Sequence, residues 1–255
     1  SCNYLTFNDR FDKISSGYDL DVTDNHYKEQ EEIVWGNGEF RNSDRSLCNG
    51  IKDTIKIKTK KGFESEGTPN HMFKVVRSGE IIWCRFDEMI IGDKILIDRS
   101  YRWHHGDSDV TKEQAYALGV SIPTKLPDKI LSAKREVMSA CISGLYDASG
   151  YVDISGDITT TFTIMTKKSV IGFTNISKEL INQLQYILLH YGIVAHKDGN
   201  NALFITGSDV KKFYDEIGFG KQFVFESIII SENIYYDEIV SIEPGNACTY
   251  DRHIP

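Results

Sequence analysis

The sequence predicts a mainly β domain that is interrupted by an insert of mixed helices and strands. Residues 1 to about 100 contain short alternating apolar runs separated by turn residues, which is typical of antiparallel strands. Between about residues 108 and 231, apolar residues recur at helical spacing after helix-capping residues. The last residues return to a β pattern. We therefore expect a discontinuous domain of residues 1–107 and 232–255 around a second domain of residues 108–231.

The first region contains clear strand and hairpin signals. The run EEIVWGNGEF has strand residues on both sides of a Gly-Asn-Gly turn at residues 36–38. Apolar residues alternate with lysines over residues 55–59, which predicts a strand with one apolar face and one solvated face. Residues 78–79, Ser-Gly, mark a further turn between two strands.

The insert contains three helix signals. A Thr-x-x-Gln capping box begins at Thr111 and predicts a helix start. Apolar residues at helical spacing over residues 130–145 predict a second helix. Ser177 and Gly192 have the residue types that begin and end a third helix. An Asp-Gly-Asn turn at residues 198–200 then predicts a hairpin.

Composition and charge exclude several classes of protein. The chain of 255 residues carries 37 acidic and 29 basic side chains, a net charge of −8, whereas strong nonspecific nucleic-acid binding usually needs a basic surface. No apolar run approaches the roughly 20 residues that cross a bilayer. The N-terminus lacks the basic and apolar pattern of a secretory signal. We therefore expect a cytoplasmic protein with no membrane partner and no strong nucleic-acid binding.

The cysteines predict neither a zinc site nor a disulfide framework. Five are scattered along the chain with no Cys-x-x-Cys pair, at Cys2, Cys48, Cys84, Cys141 and Cys248. Such a set is typical of reduced thiols in a cytosolic protein. We expect no cofactor and no bound metal.

Three stretches of the chain resemble inteins, the self-splicing elements of the Hint fold. Residues 55–75, IKIKTKKGFESEGTPNHMFKV, resemble the second conserved intein block, which hedgehog autoprocessing domains share more loosely. Residues 236–255, YDEIVSIEPGNACTYDRHIP, resemble the block near the intein C-terminus. Residues 141–153, CISGLYDASGYVD, resemble the LAGLIDADG helix of the homing endonuclease often inserted in inteins. The resemblance implies a mainly β, horseshoe-like Hint splicing domain interrupted by an α+β LAGLIDADG-type endonuclease domain.

The resemblance implies a nucleophile at the start of the chain. An intein begins with a Cys or Ser whose side chain attacks the preceding carbonyl carbon and turns an amide into a thioester or ester. The start SCNYLT is similar to an intein start when Ser1 takes this position, because Tyr4 and Thr6 then fall in register. The alternative is that Ser1 is a flanking residue and that Cys2 is the nucleophile.

The same resemblance implies three further catalytic residues, Thr68, His71 and Asp251. His71 would protonate the scissile amide nitrogen as it leaves, a role that suits a side chain whose pKa lies near neutral pH. Thr68 and nearby backbone amides would stabilise the developing oxyanion. Asp251 would bond the nucleophile or tune its proton. Without the resemblance, Thr68 and His71 indicate only a tight turn with a surface histidine, and Asp251 indicates a solvated aspartate near the chain end.

The chain departs from the intein pattern at its end. Inteins continue to a His-Asn pair whose asparagine cyclises, but this sequence stops at Pro255. We therefore expect autocatalytic, single-turnover splicing that needs flanking extein segments and a C-terminal intein fragment, as in a split intein. The alternative to a split intein is a single-chain intein whose C-terminal segment has been removed. A third class, a Hint-like domain that only cleaves itself, also stays open.

The LAGLIDADG resemblance is degenerate at the position that binds metal. Alignment of the motif places Ser149 at the metal-ligand position before Gly150, and a hydroxyl is a poor replacement for a carboxylate. Asp147 is the other acid of the motif, with a structural role in capping or packing. The first motif, AYALGV at 115–120, is followed at once by SIPTKLP. We expect no endonuclease activity. The alternative function is a LAGLIDADG DNA-binding or homing endonuclease that acts as a homodimer through a helix face without a partner.

Overall fold

A computed structural model describes residues 27–36, 39–99, 108–153, 170–199, 201–220 and 234–253, and only the backbone at 27–36, 39–48 and 250–253. The chain divides into two compact units, Ser1–Ser100 with Ile234–Pro255 (unit 1) and Tyr101–Asn233 (unit 2). The predicted domain boundaries fall within or at the edge of 100–107 and 221–233, outside the described residues, so they stay predictions.

The described residues form eleven strands and five α-helices, and all five α-helices lie in unit 2. The strands are β1 Tyr27–Gly36, β2 Glu39–Thr59, β3 Glu64–Gly67, β4 Met72–Arg77, β5 Glu80–Arg85, β6 Lys94–Asp98, β7 Gly150–Asp153, β8 Val170–Thr174, β9 His196–Asp198, β10 Ala202–Thr206 and β11 Ile234–His253. The helices are α1 Lys112–Val120, α2 Asp128–Leu131, α3 Arg135–Ser149, α4 Lys178–His190 and α5 Ser208–Glu216. None of these helices is long and apolar enough to span a membrane.

The described part of unit 1 is a seven-stranded sheet. Its order is β1-β2-β11-β6-β4-β5, with β3 also paired to β2. The predicted hairpin at residues 36–38 is confirmed, because Gly36 pairs with Glu39 in antiparallel β1 and β2. The predicted turn at 78–79 joins β4 to β5, with positive φ angles of 53° at Ser78 and 86° at Gly79. Two successive positive φ angles match the twist of a tight hairpin.

The core of unit 1 follows the predicted alternation. Ile57 is 1% exposed, whereas Lys56 and Lys58 on either side of it are exposed. Phe73 and Val75 of β4 are likewise buried on the inner face. Successive side chains of a strand point to opposite faces, so one alternating run supplies both the core and the solvated surface.

Unit 2 contains a four-stranded antiparallel sheet in the order β7-β8-β10-β9. The predicted capping box is confirmed, because the Gln114 N–H donates to Thr111 Oγ1 (3.3 Å) and the Thr111 N–H donates to Gln114 Oε1 (3.0 Å). Ser177 caps α4 by accepting the Leu180 N–H (3.2 Å). Gly192 follows α4 with a φ of 69°, which a glycine adopts without strain.

Tyr146 lies at the centre of the unit 2 core. Its ring is fully buried and packs against Phe173, Phe213 and Phe219, with centroids 5.1, 4.6 and 6.0 Å away. Its hydroxyl has no hydrogen-bond partner among the described residues. A buried polar group without a partner loses its hydration and gains nothing in return.

We expect Tyr146→Phe to raise the free energy of unfolding, by about 1–3 kcal/mol, because it removes this hydroxyl and keeps the ring. Tyr191→Phe is the matched control, since the Tyr191 hydroxyl donates to the Arg135 carbonyl (3.0 Å) and accepts from Ser139 Oγ (3.1 Å). The control should lower stability by about 1 kcal/mol. Urea unfolding of both variants measures the contrast, and equal effects would contradict the assignment.

Candidate functional site

The predicted catalytic turn lies between β3 and β4. The His71 N–H donates to the Thr68 carbonyl (2.9 Å), which closes a four-residue β-turn. Pro69 occupies the second position, where its fixed φ angle favours the turn. The structure therefore brings Thr68 and His71 together on one short, closed segment of backbone.

A second segment holds this turn from the other side. The short 3₁₀ helix Phe86–Glu88 follows β5, and its Phe86 N–H donates to the His71 carbonyl (3.0 Å). The Asp87 N–H donates to the Pro69 carbonyl (3.1 Å). The ring of Phe86 meets the His71 imidazole edge to face, with centroids 5.8 Å apart and planes at 68°. The turn is thus fixed at the carbonyls of Pro69 and His71 and at the imidazole ring.

The 3₁₀ segment is itself tied to the sheet through an ion pair. Arg77 of β4 donates to both carboxylate oxygens of Asp93 (2.8 and 2.7 Å) and to the Glu88 carbonyl (2.9 Å). Burial opposes ionisation of Asp93, but the hydrogen bonds from Arg77 and from the Ile90 N–H outweigh it, and the pKa of Asp93 is lowered. The ionised Asp93 carboxylate therefore fixes the position of Arg77. Arg77 in turn holds the Glu88 carbonyl and so the end of the 3₁₀ segment.

The arrangement of the turn suits proton transfer at a reacting backbone. Thr68 and His71 are both half-buried, so each reaches solvent and also packs against protein. A histidine can hold or release a proton near neutral pH, and a threonine hydroxyl or a turn N–H can donate to an oxyanion. These groups stand on a support whose backbone hydrogen bonds are satisfied on both sides of the turn.

The other predicted residues of this site are not brought together with the turn by what the structure describes. Ser1 and Cys2 lie outside the described residues. Asp251 lies in β11, where its backbone pairs with Leu47 of β2, and its side chain is outside the description. The roles of these three residues stay predictions.

The helices α1 and α3 of unit 2 touch through two glycines. A Cβ atom on Gly119 would lie 2.1 Å from the Cys141 carbonyl oxygen and 2.8 Å from the Leu145 nitrogen. A Cβ atom on Gly144 would lie 2.3 Å from the Tyr116 carbonyl oxygen and 3.1 Å from the Val120 nitrogen. Neither position has room for a methyl group, so the two backbones are in direct contact.

These contacts are reciprocal, which relates α1 and α3 by a local twofold axis. Each glycine meets the residue three before and the residue one after the other glycine. The expectation that α3 has a face without a partner is therefore wrong, because α1 covers that face within the same chain. The signal was present in the sequence, where Gly119 in AYALGV and Gly144 in ACISGL take matching places in the two motifs. The structure leaves no open glycine face on α3 for a homodimer.

The alignment that matches Gly119 with Gly144 also matches the ends of the two motifs. It matches Ser149 with Thr124 and Asp147 with Ile122, so neither position at which the resemblance implies a metal ligand carries a carboxylate. The helix α1 ends at Val120, and Ile122 beyond it has a φ of 51°, an uncommon angle for a β-branched residue. Within the described ranges no three His, Cys, Asp or Glu side chains form a group that could hold a metal ion.

Asp147 lies at the centre of a local hydrogen-bond network. Its carboxylate accepts the Tyr116 hydroxyl of α1 (2.9 Å) and the Gly220 N–H (2.6 Å). The hydrogen bond from Tyr116 to this carboxylate and the carboxylate charge raise the pKa of Tyr116. Gly150 ends α3 where a Cβ would lie 2.6 Å from the Tyr146 carbonyl, and Ser149 before it is half-buried. Asp147 thus joins α1, α3 and the segment after α5.

Phe86 and Gly119 are the site residues that sequence reasoning missed. The residues next to Phe86 in the sequence give no signal of a functional role. Its contact with His71 depends on the pairing of β4 with β5, which brings residue 85 opposite residue 72. Gly119 lies in the shortened first motif, and its match with Gly144 gains a structural meaning only when the two helices pack together.

Comparison with known proteins gives similarities to one family model, to two relatives and to one solved structure. Residues 136–218 match the family model of a LAGLIDADG-like domain. The replication factor C small subunits of Pyrococcus furiosus and Pyrococcus horikoshii are 27% and 24% identical over 66% and 65% of this chain, and the chain spans only 25% and 24% of their lengths. A solved transcription factor IIB Mvu mini-intein has a TM-score of 0.24 and 16% identity, over 28% of this chain and 44% of that chain.

The family match and the helix geometry concern the same part of the chain. The helix α3, with its glycine contact to α1, lies almost wholly within residues 136–218. The similarity of residues 141–153 to a LAGLIDADG helix is thereby confirmed. Residues 136–218 are thus similar to a LAGLIDADG-like domain, which agrees with the expected LAGLIDADG-type insert.

Proposed function

We propose that the chain is a self-splicing element whose N-terminal reaction is an acyl shift onto its first residue. The observation that carries this proposal is the closed turn on which Thr68 and His71 stand, fixed at the carbonyls of Pro69 and His71. A rigid support of this kind suits groups that must meet a reacting amide in one geometry. The horseshoe-like Hint architecture of residues 1–107 and 232–255 is part of the same proposal.

In the proposed step, His71 supplies one proton and Asp251 takes up one proton. Ser1 Oγ attacks the carbonyl carbon of the residue before it, so a C–O bond forms and the C–N bond of the amide breaks. His71 donates a proton to the leaving nitrogen, which becomes the free amine of Ser1. Thr68 donates to the oxyanion of the tetrahedral intermediate. Asp251 bonds the Ser1 hydroxyl and takes its proton. The product is an ester between Ser1 and the preceding segment.

The proposed partners are flanking extein segments and a C-terminal intein fragment that supplies the His-Asn end. The match to only part of each replication factor relative supports a longer host protein that contains the chain. The chain spans about a quarter of each relative's length, which is the relation expected between an intervening element and a longer protein that contains it. A replication factor is accordingly one class of host to test.

A reporter domain fused ahead of Ser1 tests the acyl shift. Hydroxylamine cleaves esters and thioesters but spares amides, so it should release the reporter as the ester forms. We expect Ser1→Ala to abolish release and Cys2→Ala to leave it unchanged. The reverse pattern would assign the nucleophile to Cys2. Absence of release from the parent protein under all conditions would reject the proposal.

A second candidate function rests on the family match of residues 136–218. A LAGLIDADG-like domain could bind or cut DNA, but Ser149 and Thr124 offer hydroxyls where a divalent cation needs carboxylates. We infer that the domain does not cleave. Incubation of supercoiled plasmid with Mg²⁺ is expected to leave it intact, and nicking that Asp147→Asn removes would restore the endonuclease function.

A further inference from the structure

We propose that Phe86 is a positioning residue that sets the orientation of the His71 imidazole. This inference rests on the proposed acyl shift and adds to it a residue outside the turn that acts through His71. It assigns Phe86 no contact with the reacting amide.

The ring contact is the first observation behind this proposal. The Phe86 side chain is 1% exposed, so its position is set by packing on all sides. It meets His71 edge to face, with ring centroids 5.8 Å apart and planes at 68°. Phe73 meets Phe86 from another direction, also at 5.8 Å, with planes at 87°. An imidazole against such a ring has fewer orientations than one that faces solvent alone.

The second observation is that backbone hydrogen bonds fix Phe86 relative to the turn. The Phe86 N–H donates to the carbonyl of His71 itself (3.0 Å), so the ring and the imidazole stand on directly bonded backbone groups. The Arg85 side chain makes a double hydrogen bond with Asp87 (2.8 and 2.5 Å), and the Arg85 N–H donates to Glu88 (3.3 Å). These contacts brace the 3₁₀ segment on both sides of the ring.

The third observation is the space left for the ring. A Cβ atom on Gly67, the residue before Thr68, would lie 3.2 Å from Phe86 Cε2 and 3.3 Å from Cζ. The ring therefore fills the gap between the end of β3 and the imidazole. A side chain at position 67 would push the ring without removing it, which provides a second way to disturb the same contact.

The consequence for the reaction follows from geometry. A general acid works only when its N–H lies within hydrogen-bond reach of the leaving nitrogen. A displacement of about 1 Å of a positioned group can slow a reaction by about a hundredfold. Replacing Phe86 by leucine would let the imidazole swing into the vacated volume, and it should slow the acyl shift although Phe86 itself transfers no proton.

A double-mutant cycle tests this role with hydroxylamine release as the readout. We expect Phe86→Leu to slow release about 10- to 100-fold in the parent protein. In the His71→Ala background, the same change should slow release less than about twofold, because the residue through which Phe86 acts is gone. An equal slowing in both backgrounds would show that Phe86 acts through the fold and would overturn the inference.

Phe73→Leu is the matched control, because Phe73 is equally buried, at 2% exposure, and touches Phe86 rather than being paired with His71. It should slow release at most about threefold at a temperature where circular dichroism shows every variant folded. Should Phe86→Leu fail to fold, Gly67→Ala, which keeps the ring, carries the test and should slow release several-fold. No slowing by Gly67→Ala in a folded protein would also overturn the inference.

A spectroscopic signature separates this role from general loss of stability. The Phe86 ring lies against the imidazole, so the carbon-bound protons of His71 should carry a ring-current shift that Phe86→Leu removes and Phe73→Leu preserves. The outcomes also separate the inference from the proposed function. If His71→Ala leaves release unchanged, the proposed function fails. If His71→Ala slows release but Phe86→Leu does not, only the inference fails.

Discussion

Replacing His71 by alanine is expected to slow hydroxylamine-induced release of a segment ahead of Ser1 by about 100- to 10,000-fold, the range for loss of a general acid. The leaving amine nitrogen is too basic to depart without a proton, and His71 is the proposed donor. The turn that carries it should survive, because its hydrogen bonds come from the backbone carbonyls of Thr68 and Pro69 and from the His71 N–H. The loss should therefore appear in the rate and hardly in the melting temperature.

His196→Ala is the matched control for this prediction. His196 is also half-buried but lies in β9 of unit 2, so its loss should leave the rate within about twofold. His71→Gln keeps a hydrogen-bond donor of similar size but has no proton to give near neutral pH, and it should resemble the alanine variant. A rate unchanged by His71→Ala would reject the catalytic role and leave the turn as a structural feature alone.

Gly144→Ala is expected to destabilise unit 2 by about 2 kcal/mol, although alanine favours helices by about 1 kcal/mol over glycine. The new Cβ would lie 2.3 Å from the Tyr116 carbonyl oxygen, which is backbone and cannot rotate away. The helices α1 and α3 would have to separate along their whole contact. Because the steric cost exceeds the gain in helix propensity, the melting temperature should fall by about 5 °C.

Ser143→Ala tests the same helix without the contact. It lies one residue away on α3 and is half-buried, and its change in stability should stay within about 0.5 kcal/mol. Gly119→Ala should match Gly144→Ala, since its Cβ would meet the Cys141 carbonyl oxygen at 2.1 Å. If Gly144→Ala melts at or above the temperature of the parent protein, the close approach of the two helices is wrong.

Local signals in the sequence predicted the elements well. The Pro-Asn pair before His71 predicted the turn because proline sets φ and asparagine favours turns, and neither needs the rest of the fold. Thr111 and Ser177 predicted helix starts because a cap bonds backbone groups only three residues away. Such interactions close within a few residues, so their partners stand next to each other in the sequence.

Contacts between residues far apart in the sequence cannot be predicted from such local signals. Phe86 meets His71 only after β4 and β5 have paired, which brings Arg85 opposite Met72. The pairing of α1 with α3 was missed because glycines at matched positions have meaning only once two helices are placed together. The degenerate metal position at Ser149 stays a prediction, which rests on the immediate neighbours of this residue in the sequence.

The reciprocal glycine contact limits how this insert can drift under mutation. A methyl group at position 119 or 144 would strike the facing helix backbone, whereas Thr124 is exposed and Ser149 is half-buried. In a library that randomises these positions and selects only for folded protein, glycine should persist at 119 and 144 while residue types diversify at 124 and 149. Selection for folding alone would then preserve the pairing of α1 with α3 and leave positions 124 and 149 free to change.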